Sequence, residues 1–315
     1  MHEGSKKAIL AAFLANLGIA IAKFIGFLIT GASSMLAESI HSVADTANQG
    51  LLVVGGRQAA RPATPEHPFG YGRDRYFWAF IVAMVLFLVG GLFAIYEGVS
   101  KLRDPHEISS PGVAFAILGV AVVLELFSLR TAVREARPYR GRLSWVAYIR
   151  RSKSPELPVV LLEDLGALCG LLFALLGLTL TEVTGDPVWD GVATVMIGAL
   201  LVVIAVILVV EMKSLLIGES ASTEHQDAIR EAIEGAPDVR GLIHMRTLHL
   251  GPDEVLVAAK IDLAPELTAA RIADAIDGAE ARVRAAVPIA RVIYLEPDLR
   301  EAPPGGPEPA GPAPA

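Results

Sequence analysis

An uninterrupted apolar run decides the fold of this chain. From Phe77 to Tyr96 the sequence reads FWAFIVAMVLFLVGGLFAIY, without a single charged residue. A helix needs about 20 mostly apolar residues to cross the hydrocarbon core of a bilayer. The stretch therefore predicts a membrane-spanning helix.

Five further stretches have a similar length and apolar character. They are Ala8–Thr30, Ser33–Gly56, Ile108–Leu129, Leu157–Thr181 and Gly191–Val210. Together with the first run they predict a membrane α-helical fold, a six-transmembrane-helix bundle. The stretch that begins at Ala8 is too long for a signal-peptide core and no cleavage pattern follows it, so we expect it to be retained.

The composition excludes several classes of protein. Hydrophobic residues make up 53% of the chain and charged residues only 19%, whereas soluble domains carry about 25% charged residues. The formal net charge of −7 argues against nucleic acid as a partner. The single cysteine, Cys169, excludes a disulfide framework and a cysteine-cluster metal site.

The distribution of basic residues predicts the orientation in the membrane. Arginine and lysine are concentrated in two connections, 57–75 and 130–153, whereas the connection 182–190 has none. Basic loops stay on the cytoplasmic side. With six spans, this places both termini in the cytoplasm, and we expect a multi-pass protein of the plasma membrane.

Beyond the last span the pattern changes to that of a small cytoplasmic α+β domain. The expected elements are a helix with Thr223 as its N-cap, a hairpin, a second helix and a third strand. Their ranges are Thr223–Glu234, Val239–His249, Val255–Leu263, Thr268–Ala286 and Ala290–Leu295. The predicted domains are 1–217 in the membrane and 218–298 in the cytoplasm, followed by a disordered Pro/Gly/Ala-rich tail over 299–315.

Ionisable residues inside the predicted spans indicate a functional site. Charged groups in hydrocarbon are costly and usually face a cavity or a partner. His41 and Asp45 lie four residues apart and share one helix face. An imidazole and a carboxylate can bind one divalent ion, and Asp164 of the fifth span can supply a third ligand, with Glu163 beside it. An intrahelical hydrogen bond between His41 and Asp45 is the alternative.

Other polar residues in the spans have simpler explanations. Glu38 either receives the incoming ion or pairs with Lys23 of the first span, and we favour the pairing. Glu97 and Asp190 lie at predicted span ends, where exposure at the membrane interface accounts for them. Three amides are expected to form hydrogen bonds between helices; they are Asn16, Asn48 and Gln49.

Several motifs closely resemble those of the cation diffusion facilitator family, near its zinc-transporter-9-like branch. The motifs are LAESIHSVAD at 36–45, HPFGYGRDRYFW at 67–78, YEG at 96–98, DG at 190–191 and LHLGPD at 248–253. The resemblance covers nearly everything from residue 8 to 298. It implies a homodimeric exporter of divalent metals, usually zinc, that exchanges them for protons, with a ferredoxin- or metallochaperone-like cytoplasmic domain.

The family's transport site is only partly present. Its ligands in the second span correspond to His41 and Asp45, and its last ligand in the fifth span corresponds to Asp164. The remaining position is occupied by Val160, which cannot bind a metal. Glu163 is the nearest replacement, but it lies about 100° around the helix from Asp164, so both can bind only if the helix presents its edge to the cavity.

Two further metal sites of the family are depleted. In the connection after the second span His67 remains, but Tyr71 occupies the second histidine position. The ligands of the cytoplasmic domain correspond to residues 243, 294 and 296, of which only Glu296 could bind. His244 and His249 are nearby, and each is a weak candidate. We therefore expect no well-formed regulatory zinc cluster in this domain.

The sequence thus predicts a transporter rather than an enzyme. Zinc is the expected cargo and protons are the counter-ion, with no prosthetic group. Export of iron(II), manganese or cobalt is the alternative, because carboxylates and one imidazole also suit these ions. A non-transporting dimeric membrane adaptor is a third possibility. An intramembrane hydrolase is disfavoured, since Ser39 and Ser42 are too close to His41 in the sequence to face it on a helix.

Overall fold

The computed structural model describes residues 3–299, and within them the side chains of residues 16–86 and 88–299. The expected disorder over 299–315 therefore lies almost entirely outside the described residues. The chain divides into two compact units, with the boundary between Ile217 and Gly218. Each unit has its own hydrophobic core.

The first unit is helical. Its elements are α1 (Glu3–Thr30), α2 (Ser33–Ala59), α3 (Asp74–Val85), a π-helix (Leu86–Leu92), α4 (Phe93–Arg103), α5 (Pro111–Arg140), α6 (Trp145–Arg151), α7 (Glu156–Thr184) and α8 (Val188–Ile217). The π-helix joins α3 to α4, so that Asp74–Arg103 forms one segment of 30 residues.

Within the described residues, 4 helical segments are long and apolar enough to cross a membrane. They are Asp74–Arg103, α5, α7 and α8. The part of α1 whose side chains are described, Asn16–Thr30, is apolar but shorter than these segments. Helix α2 has 27 residues, but its polar side chains lower its hydropathy and many of them are buried inside the bundle. The helical membrane architecture is confirmed, and the count of six spans stays a prediction.

Helix α5 is longer than predicted. The apolar pattern ends at Leu129, yet the helix continues to Arg140. The connection to α7 also contains a short helix, α6, whose Tyr148 is buried against Ala132 and Ala136 of α5. Much of the expected basic loop is therefore helical.

Helices α4 and α8 are in contact backbone to backbone. A Cβ atom at Gly98 would lie 2.7 Å from the backbone nitrogen of Val195 and 2.9 Å from the carbonyl oxygen of Gly191. Gly198 is enclosed in the same way by the backbone of Ile95 and Gly91. Small residues allow this close approach between membrane helices.

We expect Gly98→Ala to destabilise the membrane unit by about 1–3 kcal/mol, because the added methyl group meets backbone atoms that cannot move aside. The melting temperature of the purified protein in detergent measures this effect. Gly119→Ala in α5 is the matched control, since a Cβ at that position meets nothing within 4 Å. Equal melting temperatures for the two variants would contradict the tight α4–α8 contact.

The second unit is a small α/β domain. Its elements are α9 (Thr223–Glu234), β1 (Val239–Gly251), β2 (Glu254–Leu263), α10 (Ala269–Ala286) and β3 (Ala290–Asp298). The sheet order is β1-β2-β3, with β1 antiparallel and β3 parallel to β2. This arrangement confirms the predicted hairpin and α+β class. The predicted cap is wrong, because Ser222 rather than Thr223 accepts the hydrogen bond from the backbone N–H of His225.

Candidate metal site

Helix α2 carries the central pair of the candidate site. The Nδ1 atom of His41 lies 3.4 Å from Oδ1 of Asp45, one turn along the helix. The His41 side chain is fully buried, and among the described residues neither ring nitrogen has a hydrogen-bond partner. A buried imidazole without a hydrogen-bond partner is unusual, and a bound cation would provide a partner for one of its ring nitrogens.

Helix α7 supplies two neighbouring carboxylates that are held from different sides. The amide of Asn48 on α2 donates to Oε1 of Glu163 at 2.5 Å. The hydroxyl of Ser128 on α5 donates to Oδ2 of Asp164 at 3.0 Å. The Asn48 bond is the kind of interhelical hydrogen bond that the sequence predicts.

A small cavity of about 20 Å³ lies between these helices. It is bordered by residues of α1, α2, α5 and α7: Asn16, Ile19, Ser42, Asp45, Gln49, Glu125, Ser128, Val160, Glu163 and Asp164. Because Val160, Glu163 and Asp164 all border it, α7 presents its edge to the cavity. Space of this size suits a single water or a bare metal ion.

The candidate ligands do not converge on one point in this conformation. Among the described residues, no group of three or more His, Cys, Asp or Glu side chains is close enough to hold a metal ion. His41 is also absent from the cavity lining. The helices would have to approach one another for His41, Asp45 and Asp164 to bind the same ion.

Sequence reasoning missed the contribution of α5. Glu125 borders the cavity and lies one turn before Ser128, whose hydroxyl bonds to Asp164. The sequence does contain a signal, because Glu125 is the one carboxylate within the apolar stretch Ile108–Leu129. Burying a lone carboxylate within a span costs as much free energy for Glu125 as for Asp45 or Asp164.

Glu38 is part of a buried ion pair beside this site. Nζ of Lys23 on α1 lies 3.0 Å from Oε2 of Glu38 and donates to Oγ of Ser42 at 2.8 Å. The Lys23 and Glu38 side chains are both 0% exposed. The contact is the pairing favoured from the sequence, and it joins α1 to α2.

Asp190 of α8 caps the start of α2. This corrects the sequence-based interpretation of Asp190 as an exposed residue at the membrane interface. Its carboxylate is fully buried and accepts hydrogen bonds from the backbone N–H groups of Ser33 and Ser34 at 2.7 and 3.3 Å. The hydroxyl of Ser33 bonds to Glu97 at 2.9 Å. Asp190 thereby caps the start of α2, where the helix dipole favours a negative charge.

His67 lies apart from the cavity. It is exposed in the connection after α2, and its ring packs on that of Tyr71 with centroids 4.6 Å apart. The tyrosine that replaces the second histidine thus contacts the remaining one, in place of a shared metal.

Of the three candidates of the second unit, His244 and Glu296 border one pocket, and His249 lies outside it. In the sheet, Lys260 stands between His244 and Glu296, and its Nζ lies 3.2 Å from Oε1 of Glu296. Nδ1 of the buried His249 lies 3.1 Å from the carbonyl oxygen of Gly251. A lysine between the two outer candidates disfavours a cation there.

The same lysine organises the end of the sheet. A hydrogen bond from Lys260 holds the pKa of Asp298 below its usual value, with a further contribution from the backbone N–H of Leu299. Hydrogen bonds to Asp298 and Glu296 in turn raise the pKa of Lys260. The charges at this position are therefore already paired within the domain.

Comparison with known proteins identifies both units. Residues 9–217 match the cation efflux transmembrane domain, and residues 221–298 match the cytoplasmic domain of cation efflux proteins. The human protein named proton-coupled zinc antiporter SLC30A9, mitochondrial, is 32% identical over 262 residues, which are 82% of this chain and 46% of that protein. Metal tolerance protein C4 of Arabidopsis thaliana is 27% identical over 262 residues, which are 82% of this chain and 57% of that protein.

The chain thus spans about half the length of these two relatives. Magnetosome protein MamB of Magnetospirillum gryphiswaldense is 27% identical over 287 residues, which are 90% of each chain. Among solved structures, a variant of the MamM C-terminal domain is 27% identical and covers 26% of this chain and 100% of its own, with a TM-score of 0.25. The match of both consecutive domains confirms the resemblance, and the chain belongs to the cation efflux, or cation diffusion facilitator, family.

Proposed function

We propose that this protein exports a divalent metal ion, zinc in the first place, from the cytoplasm in exchange for protons. The observation that carries the proposal is the cavity inside the transmembrane unit, which is bordered by Asp45, Glu125, Glu163 and Asp164. Carboxylates at this depth are rare and mark ion pathways. The relative named as a proton-coupled zinc antiporter supports zinc and protons as the exchanged ions.

The proposed ligands are His41, Asp45 and Asp164, with Glu163 in place of the ligand that is missing at Val160. Oxygen and imidazole nitrogen are suitable ligands for zinc, and also for iron(II), manganese and cobalt. Metal ligands must be deprotonated before they bind. Metal and protons therefore compete for the same groups, which is the chemical basis of the exchange.

In the proposed cycle, the site is filled from the cytoplasm and emptied on the other side. The cavity is bordered by residues near the start of α7, next to the basic connection that precedes this helix, and by residues in the middle of α2, whereas Asp190 caps the start of α2. Approach of the helices would bring His41 to the carboxylates. Release of Asp190 from Ser33 and Ser34 would then open the far end.

We also propose the membrane orientation, the location and the oligomeric state in which the protein acts. Both termini lie in the cytoplasm, because the basic connections flank the even-numbered spans. The protein resides in the plasma membrane as a homodimer, with the second unit contributing to dimer formation, as the match to the cytoplasmic domain suggests. It acts as a transporter without catalytic turnover.

A dimeric adaptor without transport activity is the second candidate function. Two observations favour it: Val160 removes one ligand, and the described residues hold no assembled ligand group. An adaptor would keep the fold and dimer contacts while losing flux.

Metal uptake into proteoliposomes distinguishes these functions. Zinc, iron(II), manganese and cobalt are offered separately, and the metal inside is counted against protein-free vesicles. Saturable zinc uptake is the expected result. Preferential uptake of another ion would reassign the cargo, and no uptake of any of the four would favour the adaptor.

We expect Val160→His to tighten zinc binding at least about tenfold, by analogy with the effect of lost supporting residues on metal affinity. The new imidazole would border the cavity one turn before Asp164. Equilibrium dialysis of the purified protein measures the dissociation constant. Val183→His, at an exposed position of the same helix, is the control; equal tightening in both variants would contradict the proposed site.

A further inference from the structure

The extension of α5 beyond its apolar part carries a row of arginines. Arg130, Arg134 and Arg137 are spaced by four and three residues, so they share one helix face. All three side chains are exposed. We refer to these three residues as the arginine face.

This part of α5 is held firmly in its orientation. Ala132 and Ala136, on another side of the helix, pack on Tyr148 of α6, which is only 4% exposed. The guanidinium carbon of Arg140 lies 4.6 Å from the ring centroid of Trp145, and its Nη1 donates to the carbonyl oxygen of Leu143 at 3.0 Å. Arg140 therefore serves the fold, whereas the arginine face points outward.

The positive charge of this face is not neutralised within the described part of the protein. Among the described side chains, no carboxylate forms an ion pair with Arg130, Arg134 or Arg137. Between residues 130 and 153 the sequence contains one acidic residue, Glu135. Three neighbouring guanidinium groups thus remain available for an external anion.

The arginine face directly follows the apolar part of α5, and the end of an apolar membrane helix meets the lipid headgroups. Phe127, immediately before it, is 72% exposed and belongs to the apolar part of the helix. From residue 130 to residue 137 a helix rises about 10 Å, a distance comparable to the headgroup layer that borders the hydrocarbon core. A bilayer around the apolar part of α5 would therefore place the guanidinium groups beside phosphates.

We propose that the arginine face binds the phosphate groups of anionic phospholipids. The guanidinium fork matches phosphate geometry and can bind it through two parallel hydrogen bonds. Basic clusters next to a membrane helix attract acidic lipids. Since Asp164 bonds to Ser128, two residues before Arg130, lipid bound there stabilises the part of α5 that borders the metal cavity.

Native mass spectrometry of the full-length protein tests this proposal. The delipidated protein is offered equal amounts of phosphatidylglycerol and phosphatidylcholine, and bound lipids are counted. The wild type is expected to retain phosphatidylglycerol preferentially. The triple variant Arg130→Gln, Arg134→Gln, Arg137→Gln should lose this preference at least about tenfold, whereas three Arg→Lys changes at these positions should keep most of it.

The control removes the same charge elsewhere. Arg240, Arg246 and Arg291 are exposed in the second unit, and their replacement by glutamine should leave the preference unchanged. An unchanged preference in the arginine-face variant would overturn the proposal. A changed oligomeric state with unchanged lipid binding would also overturn it, and would assign the face to protein contacts.

Discussion

Replacing Asp45 with asparagine is expected to reduce zinc transport by about 100-fold, the upper end of what lost supporting residues cost in metal affinity or activity. Asp45 lies 3.4 Å from His41 and also borders the cavity, so it links the buried imidazole to the carboxylates of α7. Asparagine keeps the shape of the side chain but loses its charge. Zinc uptake into proteoliposomes measures the effect.

The matched control is Asp186→Asn. Asp186 is exposed, and its Oδ1 accepts a hydrogen bond from the backbone N–H of Val188 at 3.0 Å, which asparagine can also accept. This variant should transport zinc at the wild-type rate. A melting temperature close to wild type for Asp45→Asn would separate lost transport from lost folding. Undiminished uptake by Asp45→Asn would remove Asp45 from the site.

Replacing Lys23 with methionine is expected to destabilise the membrane unit by about 3–5 kcal/mol. The change leaves Glu38 fully buried without the cation that lies 3.0 Å from it. Removing one partner of a buried ion pair is costly because the other charge stays in a poorly polarisable environment. Denaturant unfolding in detergent, followed by tryptophan fluorescence, measures the loss.

The double variant Lys23→Met, Glu38→Gln is the decisive comparison. Because it removes both charges, it should recover most of the stability that the single variant loses. If the double variant is as unstable as Lys23→Met alone, the lost stability comes from packing of the lysine stem and the pair is not its cause.

The sequence predicted those parts of the fold that depend on local patterns. The apolar run Phe77–Tyr96 forms a helical segment because hydropathy alone determines where such a segment lies. The hairpin of β1 and β2 followed from alternation and a turn signal. The apolar pattern predicts that the fourth span ends at Leu129, whereas α5 continues to Arg140 because its arginines also have helical spacing.

Contacts between distant residues could not be predicted. Asp190 was interpreted as an exposed interfacial residue, whereas it caps α2 through Ser33 and Ser34, which lie 157 and 156 residues away in the chain. Its burial depends on how α8 packs on α2, and no local pattern encodes that packing. The cap Ser222 was missed by one position, which is within the usual uncertainty of helix ends.

The candidate site also combines features that local sequence patterns predict with features that depend on helix packing. The spacing of His41 and Asp45 on one helix could be read directly, since i and i+4 residues share a face. Whether Glu163 and Asp164 both reach the cavity depended on the rotation of α7, and both border it. Glu125 belongs to the site because α5 packs beside α7, a contact that no local pattern encodes.

The dependence of zinc uptake on an imposed pH gradient tests the central claim most directly. Proteoliposomes are prepared at zero membrane potential, and initial zinc uptake is compared with and without an acidic interior. Exchange of zinc for protons predicts faster uptake when protons can leave the vesicle, and Asp45→Asn should lack this acceleration. Equal uptake with and without the gradient would contradict proton-coupled exchange.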